Sequence, residues 1–310
     1  MLASVFNKSR PVNYILIGAV LVLFYFLYLF NDTAWTDNYL LIAQKTGLLL
    51  LLAGALFLTN FITRRNNLSK ANTYAMFLFL VFLVLFPTTL VNTRVILANF
   101  FLLLALRRLV SLQSLITPKE KIFDASFWIF AAAIFHFWCV IYIILVFVSI
   151  VFHVSRDYRN WLIPFIAFFA VFILYLMAEL IIGEGFKDMT GDVAVSFDFT
   201  YFENVYQNIA LAIFSSVVVL FAAPYAFSIT NKPLNLQSSH KKVLFSFLIG
   251  VGIYALSSGK NNSFLIFTFA PLAIMGANYL ESQENIWVKE VLTGLLVVIA
   301  GFLFVSQLDL

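Results

Sequence analysis

The chain has 310 residues, 63% of them hydrophobic and 11% charged, with a mean hydropathy of +0.98. Soluble domains carry roughly 25% charged residues. A chain with less than half of that cannot clothe its surface for water, which excludes a soluble enzyme, a nucleic-acid-binding domain and a disordered protein.

One cysteine, Cys139, rules out a disulfide framework, a Cys-ligated zinc site and haem attachment, and no cofactor is expected. The 19 Lys and Arg against 15 Asp and Glu lie in short clusters between apolar stretches. That is the pattern of cytoplasmic loop ends in a multi-pass membrane protein, and it needs no nucleic acid.

A hydrocarbon core of about 30 Å takes roughly 17 to 25 residues of helix. Apolar stretches on that scale run at 13–30, 46–62, 73–92, 95–112, 125–152, 161–183, 204–231, 243–259, 261–280 and 291–308, charged only at Arg107, Arg108 and Glu179, and almost nothing is left over. The first follows Lys8 and Arg10 with no small-residue cleavage site behind it, so it reads as a retained signal anchor.

The stretch 125–152 decides the topology. As one helix it would be about 42 Å long, too long for an upright span and short for two. A single crossing would put the acidic run from Glu184 to Glu203 in the cytoplasm and Lys232, Lys241 and Lys242 outside, against the positive-inside rule. A hairpin turning near His136–Cys139 restores the rule.

The sequence therefore predicts an all-α bundle of about eleven membrane helices in one integral membrane domain, 1–310; the count is ten if 125–152 is a single span. The N-terminus is expected on the cytoplasmic side and the C-terminus on the outer side, with Arg64, Arg65, Arg107, Arg108, Lys119, Lys121, Arg156 and Arg159 among the inner basic residues. The loop 184–203 is the one sizeable outer feature and is expected to lie along the membrane surface. Twelve glycines argue against close Gly-mediated crossings, and 37 phenylalanines suggest packing by aromatic interdigitation.

Charged groups at membrane depth cost about 2.5 to 3.5 kcal/mol on insertion scales, so each needs a cavity, a partner or a route to the interface. Arg94 and Lys260 break the inside rule and are candidates to receive an anionic headgroup or pyrophosphate at the outer leaflet, with snorkelling anchors as the structural reading. Glu179, among apolar neighbours near the outer end of its span, is a candidate to line a polar cavity. His136 at the proposed hairpin tip is a binding candidate, and more simply an interhelical hydrogen-bonding residue. Together, Arg94, His136, Glu179 and Lys260 are expected to enclose a polar cavity in the outer half of the bundle.

Asp32 and Asp37 in the first outer loop are candidate general bases, with ordinary solvated loop acids as the bland alternative. His153 and His240 fall on the inner side and His136 on the outer, so no metal site is expected. Arg107 and Arg108 either enter the bundle or anchor its end, and Asp124 is placed to pair with one of them.

The stretches Ala98 to Arg108, Glu120 to Trp128, Arg159 to Phe165 and Asn261 through Pro271 to Glu281 resemble an uncharacterised family of polytopic inner-membrane proteins from Bacteroidota. The resemblance covers nearly the whole chain and implies a Gram-negative inner membrane without a reaction. More distantly, the short-helix hairpin with His136 is similar to polysaccharide-polymerase-like membrane proteins of the GT-C superfamily.

Two functions are expected from these readings. One is the handling of a polyprenyl-linked or other anionic glycolipid at the outer leaflet, by transfer or polymerisation. The other is a non-catalytic membrane subunit or scaffold of an envelope-assembly complex. Besides membrane lipids, partners are expected to dock through helices, on Phe-rich faces such as Phe77 to Phe82 and Phe165 to Phe172.

Overall fold

The computed structural model describes residues 2–30, 34–183, 193–197 and 205–308. In chain order its helices are α1 (Leu2–Phe6), α2 (Pro11–Leu29), α3 (Tyr39–Arg65), α4 (Tyr74–Leu85), α5 (Thr93–Ser111), α6 (Pro118–Phe135), α7 (Ile143–His153), α8 (Arg159–Ile182), α9 (Val205–Ser228), α10 (Leu234–Leu256), α11 (Ile266–Ser282) and α12 (Ile286–Ser306). Among the described residues, seven helical segments, beginning at Pro11, Tyr39, Thr93, Arg159, Val205, Asn262 and Ile286, are long and apolar enough to cross a membrane. In lipid every backbone polar group must be paired within its own segment, and this all-α membrane bundle meets that demand.

The centre of the bundle is α4, all of whose residues are buried, flanked by α11, buried over nearly its full length. The α4 helix stops before Pro87, which cannot donate to a continuing helix, and a 3-10 turn, Pro87–Leu90, carries the chain on. Phe82 and Phe86 meet Phe214 of α9 edge to face at 5.4 and 5.3 Å, and both also lie against Phe269. Aromatic interdigitation therefore does build the core. It also uses up one of the faces expected to bind partners: Phe77 to Phe82 are buried inside the chain's own bundle. The Phe165 to Phe172 face stays on the periphery, with Phe165 57% and Phe169 60% exposed.

Glycines make close crossings after all. A Cβ on Gly250 would lie 2.8 Å from the Phe267 carbonyl oxygen, and one on Gly276 would lie 2.6 Å from Leu78 and 2.8 Å from Phe221. Gly250 lets α10 approach α11, and Gly276 lets α11 approach α4 and α9, because what matters is their place on the helix face and not their number.

The stretch 125–152 is not one helix. The α6 helix ends at Phe135, His136 is extended, and a 3-10 run, Phe137–Tyr142, leads into α7. Lys119 at the start of α6 and Asp157 after α7 form an ion pair at 3.3 Å, so the chain goes out and comes back. Arg108 and Asp124 pair at 2.8 Å, which ties α5 to α6.

Polar contacts sort into two ends. At one, the basic end, Glu281 accepts from the Lys70 N–H, Lys232 donates to Asn278 at 3.1 Å, and Glu290 accepts the Ala3 and Ser4 N–H groups at the start of α1. At the other, the chain breaks around Asn92, His136 and Ser257 come together.

Lys242 departs from the expected loop position. The α10 helix starts at Leu234, so Lys242 lies inside it and is fully buried. Its Nζ donates to the Leu109 carbonyl at 2.6 Å and lies 3.1 Å from His153 Nε2. Lys121 donates to the Ser111 carbonyl at 2.9 Å. The last carbonyls of a helix have no partner within it, and lysines near a C-terminus both bond them and complement the helix dipole.

Candidate functional site

Three interruptions of helix meet at the end opposite the basic one. The first is Val91–Asn92, between the 3-10 turn after α4 and α5. Asn92 caps α5 by accepting from the Val95 N–H at 3.4 Å and donates its amide to Ser263 Oγ at 3.0 Å. The second is His136. The third is 257–261, in which Gly259 takes φ +55, a backbone that glycine adopts without a Cβ penalty. Asn261 then caps the next turn through the Ser263 N–H at 3.2 Å.

Irregular backbone at membrane depth is tolerated where protein buries it or where it lines an aqueous cavity. Here the interruptions surround a cleft of about 480 Å³ whose walls include Asn92, Thr93, Arg94, Phe135, His136, Ser258, Gly259 and Phe264.

His136 is buried, its ring against Phe264 and Phe267 at 4.8 and 5.4 Å. Its Nε2 lies 2.8 Å from Ser257 Oγ. The Ser257 hydroxyl gives its one proton to the Ile253 carbonyl at 2.6 Å, so Nε2 must be the donor and a neutral ring keeps Nδ1 as an acceptor. Next to it, the Ser258 hydroxyl is buried without a hydrogen-bond partner among the described residues. A buried unsatisfied hydroxyl costs about 1–3 kcal/mol, and a bound water or ligand group in the cleft would relieve it.

Arg94, exposed on the first turn of α5, brings a planar guanidinium suited to phosphate oxygens. Lys260, beside Gly259, is buried. Its Nζ donates to the carbonyls of Ser196 and Ser257, which pins 193–197 across this end of the bundle. Trp138 Nε1 adds a bond to the Ala194 carbonyl at 3.2 Å.

Arg94 and His136 thus share one cleft, with Lys260 at its edge. Glu179 is half-buried near the end of α8, outside the cleft lining. Asp32 lies outside the described residues. Asp37 closes a 3-10 turn, Ala34–Asp37, and its side chain is likewise not described. Of the loop 184–203, only 193–197 is described.

Sequence reasoning passed over Asn92 and Ser258. Both were visible as polar residues at the edges of apolar runs, but nothing local said that their breaks meet. The three histidines stay apart: His153 is on Lys242, and His240 Nδ1 is 2.8 Å from the Tyr225 hydroxyl. Among the described residues no group of three or more His, Cys, Asp or Glu could hold a metal.

Comparison with known families decides the kinship, since a family model, DUF6427, matches residues 1–309. The chain belongs to this family of unknown function. No curated protein and no solved structure matches the chain. The DUF6427 match covers both the cleft and the basic end, so both belong to the part of the chain shared with the family.

Proposed function

We propose that this is a bacterial inner-membrane protein of the cell envelope that binds the phosphate of a polyprenyl-linked or other anionic glycolipid at the cleft. The chain crosses eleven times, N-terminus in the cytoplasm, with the basic end cytoplasmic and the cleft in the outer leaflet. The observation that carries the reading is the meeting of three helix interruptions around a cleft holding Arg94, His136 and the unsatisfied Ser258 hydroxyl. Arg94 takes the phosphate by charge-assisted hydrogen bonds. Asp32 or Asp37, from the loop that precedes α3, serves as the base if a sugar is transferred in the GT-C manner. Lys260 holds the 193–197 segment over the cleft, at the membrane surface, and Glu179 contributes negative charge near the outer end of α8.

The alternative is a non-catalytic membrane subunit, favoured by the exposed aromatic face of α8, where Phe165, Phe168, Phe169 and Phe172 stand outward. Lipid-linked glycan profiles of a deletion strain, complemented by the wild type or by Arg94→Ala, separate the two. Accumulation of a lipid-linked intermediate in both the deletion and the Arg94→Ala strain is the expected result. A normal profile in the deletion strain removes the glycolipid reading.

A further inference from the structure

A second concavity, far from the cleft, runs between α3 and α5 toward the basic end. Its volume is about 680 Å³, and Gly54, Phe57, Phe61 and Phe100 line it along most of its length, while Arg64 and Arg65 stand at its basic mouth. We propose that this groove holds one anionic phospholipid of the leaflet at the basic end, with an acyl chain against Gly54, Phe57 and Phe100 and the phosphate on Arg64 and Arg65.

Three features argue for that occupant. The groove divides chemically along its length as a phospholipid does, apolar and then cationic. From Gly54 to Arg65 the helix rises about 16 Å, close to half of a ~30 Å hydrocarbon core, which is the depth of one leaflet. The mouth is also built to donate hydrogen bonds. Arg64 Nη1 donates to Tyr14 OH at 2.9 Å and to Ser9 Oγ at 2.7 Å, and Asn60 Nδ2 donates to the same Tyr14 oxygen at 3.3 Å.

With both its lone pairs engaged, Tyr14 gives its proton to Ser9 Oγ, 3.2 Å away. Ser9 then accepts twice and has its own proton left to donate, beside a guanidinium held in place. Neither Arg64 nor Arg65 is paired with a carboxylate among the described residues. Arg107 adds a third cation, stacked 4.7 Å over the ring of Phe61. Gly54 lets the Phe100 ring pack directly on α3 to form the far end of the groove, because a Cβ there would lie 3.0 Å from that ring.

The test uses the full chain reconstituted in phosphatidylcholine vesicles containing a minor fraction of phosphatidylglycerol, extracted in mild detergent and read by native mass spectrometry. The wild type should retain phosphatidylglycerol in preference to phosphatidylcholine. Arg64→Gln with Arg65→Gln should reduce that retention on the order of tenfold, whereas Arg64→Lys with Arg65→Lys should keep most of it. Gly54→Leu, which fills the chain slot and leaves both charges, should reduce it too.

Each variant is compared only as a monodisperse fraction of wild-type helical content. No preference in the wild type, or a preference that survives either the glutamine pair or Gly54→Leu, would overturn the proposal. Displacement of the lipid by excess inorganic phosphate alone would overturn it as well, since it would mean a site for a free anion.

Discussion

The Lys119 ammonium lies 3.3 Å from the Asp157 carboxylate, so the two ends of the α6–α7 segment meet at one side of the bundle. The Arg159 N–H donates to Asp157 Oδ1 at 3.0 Å, and this bond, with Lys119 beside it, holds the Asp157 carboxyl below its ordinary range. An exposed pair contributes little stability, and its value here is topological. With a cytoplasmic N-terminus, an alkaline phosphatase fusion after Arg159 should be inactive and one after Gly183 active. The reverse pattern would mean that α6 and α7 together cross once.

Lys242 should be a stability residue. Lys242→Met keeps the stem and removes the donor, so the Leu109 carbonyl loses its 2.6 Å bond and keeps only the Leu112 N–H, at a cost of about 1–2 kcal/mol for a lost hydrogen bond. Lys121→Met removes a cap near solvent and should cost less. Thermal unfolding in detergent reads both, and equal losses would deny Lys242 its special place at the end of α5.

His136 and Ser257 should be energetically coupled across α6 and α10. Ser257→Ala leaves the His136 N–H unpaired in a buried setting. His136→Phe keeps the ring contacts to Phe264 and Phe267. Interhelical hydrogen bonds in membranes average about 0.6 kcal/mol and reach about 1.7, so a double-mutant cycle should give a coupling of about 1 kcal/mol. A coupling near zero would mean that the ring is held by its aromatic contacts alone.

Gly250→Ala should be worse tolerated than Gly276→Ala. The first drives a methyl against the Phe267 carbonyl, which the α11 backbone cannot move aside, whereas the second meets the side chains of Leu78 and Phe221. Overpacking costs about 1–3 kcal/mol, and Gly250→Ala should fall at the upper end, measured as lost thermal stability. A harmless Gly250→Ala would show that α10 and α11 can separate freely.

Reading the residues in order was enough to establish helices, membrane and the return of the chain at His136, because each rests on short-range physics. A run of apolar side chains must be helical in lipid, and a segment of the wrong length with lysines after it must turn back. The Arg108 and Asp124 pair was also within reach, since a short connection joins their helices. Where the helices lie beside one another was out of reach. Phe77 to Phe82 and Phe165 to Phe172 are equally apolar as strings, yet the first is core and the second periphery, because lipid and protein interiors are alike to a phenylalanine. Lys242 looked like a loop lysine until α10 was seen to begin at Leu234 and to lay that ammonium on the end of α5. Asn92, His136 and Ser258 each mark a local break in the chain. That the breaks share a cleft follows from helix packing alone, since contacts between residues so far apart in the chain exist only once the bundle has assembled.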